Sequence, residues 1–127
     1  MALTREQFDS LRPTIKEIEV SELGGTACIR TISARARDAY DNSINDGVRR
    51  DFDNISARLV CLCLCDDSGN LMFPDPVEGA RVIAEWPSPV VERLFYACRD
   101  LNRMGRDALE EAAKNSEPIP ADSSSTA

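Results

Sequence analysis

Residues 59–65 are an unbroken apolar run, Leu59-Val60-Cys61-Leu62-Cys63-Leu64-Cys65, the most hydrophobic stretch of the chain. So short a run suits a buried strand or a buried helix equally by periodicity alone. Composition favours helix over 55–65: Ala57, Arg58 and the leucines are good helix formers, and only Ile55 and Val60 are β-branched. Asp53 or Asn54 is the expected cap. A helix apolar nearly all round needs neighbours on several sides, so this segment is the expected centre of the core. Asp67-Ser68-Gly69-Asn70 reads as a turn, and Leu71-Met72-Phe73 as a short strand or a buried plug.

Upstream, the period is two. In residues 14–20, Ile18 and Val20 share one face and Glu17 and Glu19 the other. Residues 28–32 carry Ile29, Thr31 and Ile32, and Leu23-Gly24-Gly25-Thr26 between them supplies a turn. The pair predicts a hairpin with a loop longer than two residues. Before it, residues 1–13 are polar with isolated Leu3, Phe8 and Leu11, a short helical or loosely packed arm.

Downstream, the period is 3.6. Ser33 caps a helix over 34–46 with Ala36, Ala39, Tyr40 and Ile44 on one face and Gly47 closing it; Ala36 stands where a full capping box needs Glu or Gln. Residues 48–53 form a charged linker. Asp75-Pro76-Val77-Glu78 combines an N-cap carboxylate, Pro at the first helical position and Glu three residues on, which predicts a helix ending near Pro87. Ser88-Pro89 repeats the device before the best amphipathic helix, over 89–104. Val91, Leu94, Phe95, Cys98 and Leu101 point inward there, and Gly105 stops the helix. A last short helix over 106–115 buries Leu109, Ala112 and Ala113. Residues 117–127 read as a disordered tail. The sum is an α+β domain over 14–116: an N-terminal β-hairpin, then a bundle of four to five helices.

Composition narrows the function. The 127 residues fit one domain, and their net charge of −7 with scattered basic residues argues against a nucleic-acid partner. No apolar run reaches the ~18–20 residues of a membrane span, and residues 1–6 lack a signal-like pattern, so the expectation is a cytosolic chain with five free thiols. Cys61, Cys63 and Cys65 recur every second residue with no histidine in the chain, a poor match to zinc-ligand spacing, and read as small buried hydrophobes. A Ser or Cys nucleophile lacks its commonest base. The acidic pairs Asp66-Asp67 and Glu110-Glu111 read as solvated charge. Hence no catalytic residue, metal or cofactor is expected. Trp86, Phe95 and Tyr96 could be core or an interface patch.

An ordered set of motifs carries a resemblance. Ser33-Ala34-Arg35-Ala36-Arg37-Asp38-Ala39-Tyr40 follows the hairpin. Then comes Asn-x-x-Ala-Arg-Leu-Val-x-Leu-x-Leu-x-Asp-x-x-Gly-Asn-x-x-Phe over 54–73, and Arg-Leu-Phe-x-x-Cys-x-x-Leu-Asn over 93–102. Over roughly residues 14–117 the chain resembles the tail assembly chaperones of phages with long noncontractile tails. The resemblance implies a non-enzymatic protein of the host cytoplasm, absent from the mature virion. It would bind the tape-measure protein, keep it soluble and promote tail-tube polymerisation around it. It also implies a longer frameshifted form, joined after Ser116, that engages the tail-tube protein; self-association into a homo-oligomer is expected too. The expected client surface is an apolar strip on the helices over 76–86 and 89–104 that includes some of Val90, Leu94, Tyr96 and Leu101, the competing reading being that all four are core. Alternatives are a head–tail connector or minor tail protein, and a small thiol redox protein.

Overall fold

The computed structural model describes residues 1–44 and 53–104, and every structural statement below refers to these. Helix α1 (Arg5–Asp9) opens the chain; β1 (Ile15–Val20) and β2 (Gly25–Arg30) form the hairpin; α2 (Ala34–Ile44) and α3 (Ile55–Cys63) follow. A two-residue strand, β3 (Leu64–Cys65), precedes α4 (Pro76–Ile83) and α5 (Ser88–Leu101). The α+β class and the hairpin-then-helices order are as the sequence indicates.

The third strand is the main departure. The apolar run is helix up to Cys63 and then turns extended without a loop, pairing Cys28 with Cys65 and Ile29 with Leu64 in an antiparallel sheet of order β1-β2-β3. The turn after it explains the switch. Asp66 Oδ1 accepts from the backbone N–H groups of Ser68 and Asn70, both at 2.9 Å, and a bridge then joins Cys65 to Leu71. That side-chain mimicry of a turn fixes the return of the chain and lets Leu64–Cys65 complete β2's hydrogen bonding. β2 itself begins three residues earlier than expected, since Gly25 and Thr26 already pair with Val20 and Glu19. The hairpin loop is therefore Ser21–Gly24, with Gly24 at φ 68°.

Local chemistry sets the helix ends. Asp75 Oδ1 accepts from Val77 and Glu78 N–H groups at 3.0 and 3.3 Å, and Ser33 Oγ from Ala36 N at 3.1 Å, as expected. Three caps differ. Asn54 holds the α3 cap position at φ 55° without a side-chain bond. Pro87, not Ser88, precedes α5, because Pro89 already sits one residue inside the helix. Arg103, at φ 54°, terminates α5 two residues before Gly105; Met104 N bonds back to the Arg99 carbonyl at 2.9 Å, the geometry of a left-handed cap. Thr4 and Gln7 form a reciprocal capping box on α1, which buries nothing. Gly47, most of the 48–53 linker, the helix over 106–115 and the tail over 117–127 lie outside the described residues.

The core is built around α3. Leu59, Val60, Cys61 and Cys63 are fully buried between Ile29 of the sheet, Ile83 of α4, and Val91, Leu94 and Cys98 of α5. α4 and α5 pack closely on α3, and α2 leans on it more lightly. Two long-range ties hold α5 to the sheet. Arg93 grips Glu22 of the hairpin loop through two bonds of 2.7 and 2.8 Å. Asn102 accepts from Ile32 N–H at 2.9 Å while donating to the Cys98 carbonyl at 3.0 Å and toward Cys63 Sγ at 3.5 Å.

Candidate functional site

Because α2 and α4 both rest on α3 but not closely on each other, a groove of about 650 Å³ opens between them. Tyr40, Leu62 and Ala80 floor it; Ala36 and Ala39 form the α2 wall, and Pro76 and Val77 the α4 wall. The floor is buried where it meets the core: Tyr40 and Ala80 are nearly inaccessible, whereas Val77 on the rim is 70% exposed. Tyr40 is fixed by its hydroxyl, which donates to the Ile55 carbonyl at 3.1 Å. Burial pushes its phenol up to about 12, so it stays neutral at any physiological pH.

Small side chains decide the shape. Alanines at 36, 39 and 80 leave room where larger residues would close the gap. Of the α2 face expected from sequence, Ala36, Tyr40 and Ile44 do turn toward α3, but Ala39 is exposed and becomes groove wall. At ~100° per residue, position 39 falls at the edge of the stripe rather than its centre.

The mouth is basic although the chain is acidic. Arg35 of α2, Arg58 of α3 and Arg81 of α4 ring it, with Asp53 at one end. Arg58 donates to Ser43 Oγ at 2.8 Å, and Arg81 lies 3.6 Å from Glu78 in an exposed ion pair. The groove shares Ser33, Ala36 and Leu62 with a second concavity of about 410 Å³, which extends toward Leu11, Arg12, Arg30 and Leu71. An apolar floor with charged edges suits an amphipathic helix laid lengthwise.

The strip expected on α5 lands differently. Leu94 is 3% exposed and belongs to the core, so it offers nothing to a partner; its position places it directly on α3. Val90 and Leu101 are half-buried against the same core. Only Tyr96 stands out, 51% exposed, edge-on to Phe95 at 5.5 Å with the Arg99 guanidinium 5.7 Å above its ring. Trp86 is half-buried against Phe73, ring centroids 6.1 Å apart.

All five cysteines are free and buried, in keeping with a packing role. Burial pushes the Cys28, Cys61 and Cys65 thiols up. The Cys63–Cys98 pair shares a hydrogen bond that raises Cys98, with burial adding to it, and lowers Cys63. Among the described residues no three His, Cys, Asp or Glu side chains converge as a metal site would. Asp66 is committed to its turn, whose N–H groups hold its carboxyl below the usual range. Glu22 is committed to Arg93, whose hydrogen bonds hold it at about 2.

No family model matches the chain, and no curated protein matches it. Among solved structures, the bacteriophage HK97 tail assembly chaperone superposes with a TM-score of 0.55 at 21% identity, over 76% of this chain and 94% of that one. Over that span the chain shares the fold of the HK97 tail assembly chaperone.

Proposed function

We propose that this chain is a non-enzymatic phage tail assembly chaperone. It binds the tape-measure protein, keeps that long helical client soluble and promotes tail-tube polymerisation around it, in the host cytoplasm and without entering the virion. The observation that carries the reading is the shared fold, which spans nearly the whole HK97 tail assembly chaperone. The groove between α2 and α4 supports it physically, since it offers apolar surface beside charged edges that keep the free protein from aggregating. The ordered motifs over 33–40, 54–73 and 93–102 point the same way. A longer frameshifted form would add the contact to the tail-tube protein.

Co-expression with the tape-measure protein tests the reading. The parent chain should hold the client in the soluble fraction and co-purify with it. Ala39→Glu and Val77→Glu, both on the exposed groove wall, should release the client while keeping a cooperative melt. Tyr96→Glu probes the α5 surface; release by that variant alone would move the client to α5. A parent chain unable to keep the client soluble defeats the proposal, as does its presence in purified particles by mass spectrometry.

A further inference from the structure

The charge of the groove is out of step with the charge of the chain. Acidic residues outnumber basic ones by 22 to 15. Yet five arginines line the groove and the concavity that adjoins it: Arg35, Arg58 and Arg81 in the groove, Arg12 and Arg30 in the concavity. Among the described residues, Asp53 is the one acid that lines either hollow. At physiological salt a charge is felt over ~8 Å, so a segment entering there meets these arginines and not the net charge of the molecule.

The two hollows form one trough, because Ser33, Ala36 and Leu62 belong to both. Apolar surface stands open along it: Val77 in the groove is 70% exposed and Leu11 in the concavity 71%. The arginines keep donors for an acceptor from outside. Arg35 and Arg81 are exposed on the α2 and α4 walls, and the 3.6 Å pair of Arg81 with Glu78 is a weak hold in solvent. Arg30 Nη1 donates to the Gly69 carbonyl at 2.8 Å, which fixes the guanidinium at the concavity, while its buried Nε has no hydrogen-bond partner. A guanidinium offers its donors as a planar fork that matches a carboxylate.

We propose that this trough receives an acidic amphipathic helix. Its apolar stripe lies over Leu62, Tyr40 and Ala80. Its flanking carboxylates meet Arg35 and Arg81 in the groove, and Arg12 and Arg30 beyond it. A lysine-flanked helix of equal hydrophobicity is turned away by the same charges. The inference deepens the client-binding reading above and rests on it only for the identity of the protein that carries the helix.

The test uses the full chain and two fluorescein-labelled, alanine-rich peptides of about 18 residues, long enough to be helical. Both carry the same leucine stripe; one has glutamates on its flanks and the other lysines. By fluorescence anisotropy the acidic peptide should bind at least tenfold more tightly. Arg35→Glu with Arg81→Glu should weaken it about tenfold, the scale of two exposed ion pairs turned to repulsion, and Arg12→Glu about threefold. Tyr96→Glu, which adds the same charge on α5, should leave it unchanged. Equal affinity for the two peptides, preference for the basic one, or binding of neither overturns the proposal on the parent chain alone, before any variant is made. So does an affinity that ignores the arginine reversals in variants that still melt cooperatively. A chain that holds the tape-measure protein soluble yet does not distinguish the peptides would sink this inference and spare the chaperone reading; the opposite pattern would sink that reading and leave the acidic-helix surface standing.

Discussion

Gly79 sets two opposing effects against each other, and their sizes decide the sign. It lies buried in the middle of α4, where that helix crosses α3. In a helix interior, Gly→Ala normally stabilises by ~1 kcal/mol, because alanine has less backbone freedom to lose. Here a Cβ would stand 2.5 Å from Phe73 Cβ and 2.9 Å from Phe73 Cγ, and would also collide with Cys61 Sγ. The sulfur can rotate away, but Phe73 Cβ is fixed to the backbone, and the ring is backed by Trp86. Overpacking of this kind costs ~1–3 kcal/mol, and because the Phe73 clash is with a backbone-fixed Cβ the upper half of that range applies, so Gly79→Ala should lose about 1–2 kcal/mol after the ~1 kcal/mol propensity gain is subtracted. For a domain of this size that lowers Tm by about 5 °C per kcal/mol. Urea denaturation followed by far-UV circular dichroism measures the loss. Cys61→Ala in the same background should recover part of it, a coupling that a double-mutant cycle isolates. If Gly79→Ala melts at or above the parent, helix propensity prevails and the close approach of α4 to Phe73 does not hold.

Other expectations follow from the ties across the core. Asn102→Ala strands the Ile32 N–H and loosens both α3 and α5, and should cost about 1–3 kcal/mol by urea midpoint; Asn102→Asp keeps the acceptor for Ile32 but sets a carboxylate oxygen against the Cys98 carbonyl, and should cost no less. Glu22 is depressed from 4.5 to about 2 by Arg93, so its stabilising contribution is complete above pH 4.5 and disappears as pH falls toward about 2. Glu22→Gln should flatten stability over that window; profiles that stay parallel to the parent's would show the pair contributes nothing. The five buried thiols should react with a bulky disulfide reagent only as fast as the chain opens, so a thiol labelled rapidly in the native protein would contradict the packing described here.

Much of the fold was legible because its signals are local. The hairpin's alternation, the Asp75-Pro76 start and the 3.6-residue spacing of Val91, Leu94 and Cys98 each depend on neighbours in sequence. β3 was hidden because two residues carry no periodicity; the trace that could have found it is the Asp66 turn between Cys65 and Leu71, a side-chain bond that closes a strand pair. The groove was less legible still. Its walls are alanines, which pattern reading assigns to the interior, and whether Ala39 meets a neighbour or a gap depends on how far α2 stands from α4. Leu94 illustrates the converse: amphipathic spacing marks an apolar face but does not say whether that face is already covered, and α3 covers it. The role of Asn102 was invisible for a similar reason, since its partner Ile32 lies 70 residues away.

The direct passage from α3 into β3 has a practical consequence for anyone re-engineering the chain. Helix and sheet share a continuous backbone at Cys63 and Leu64, with no spare residue between them. A break or insertion there would cut the central helix from the sheet in one stroke, whereas the exposed loop Ser21–Gly24 ends a hairpin that keeps its register on either side. New termini, fluorescent tags or fused partners belong at that loop tip after Leu23, where added length breaks neither ladder nor core and, of the long-range ties, only Glu22–Arg93 stands to be lost.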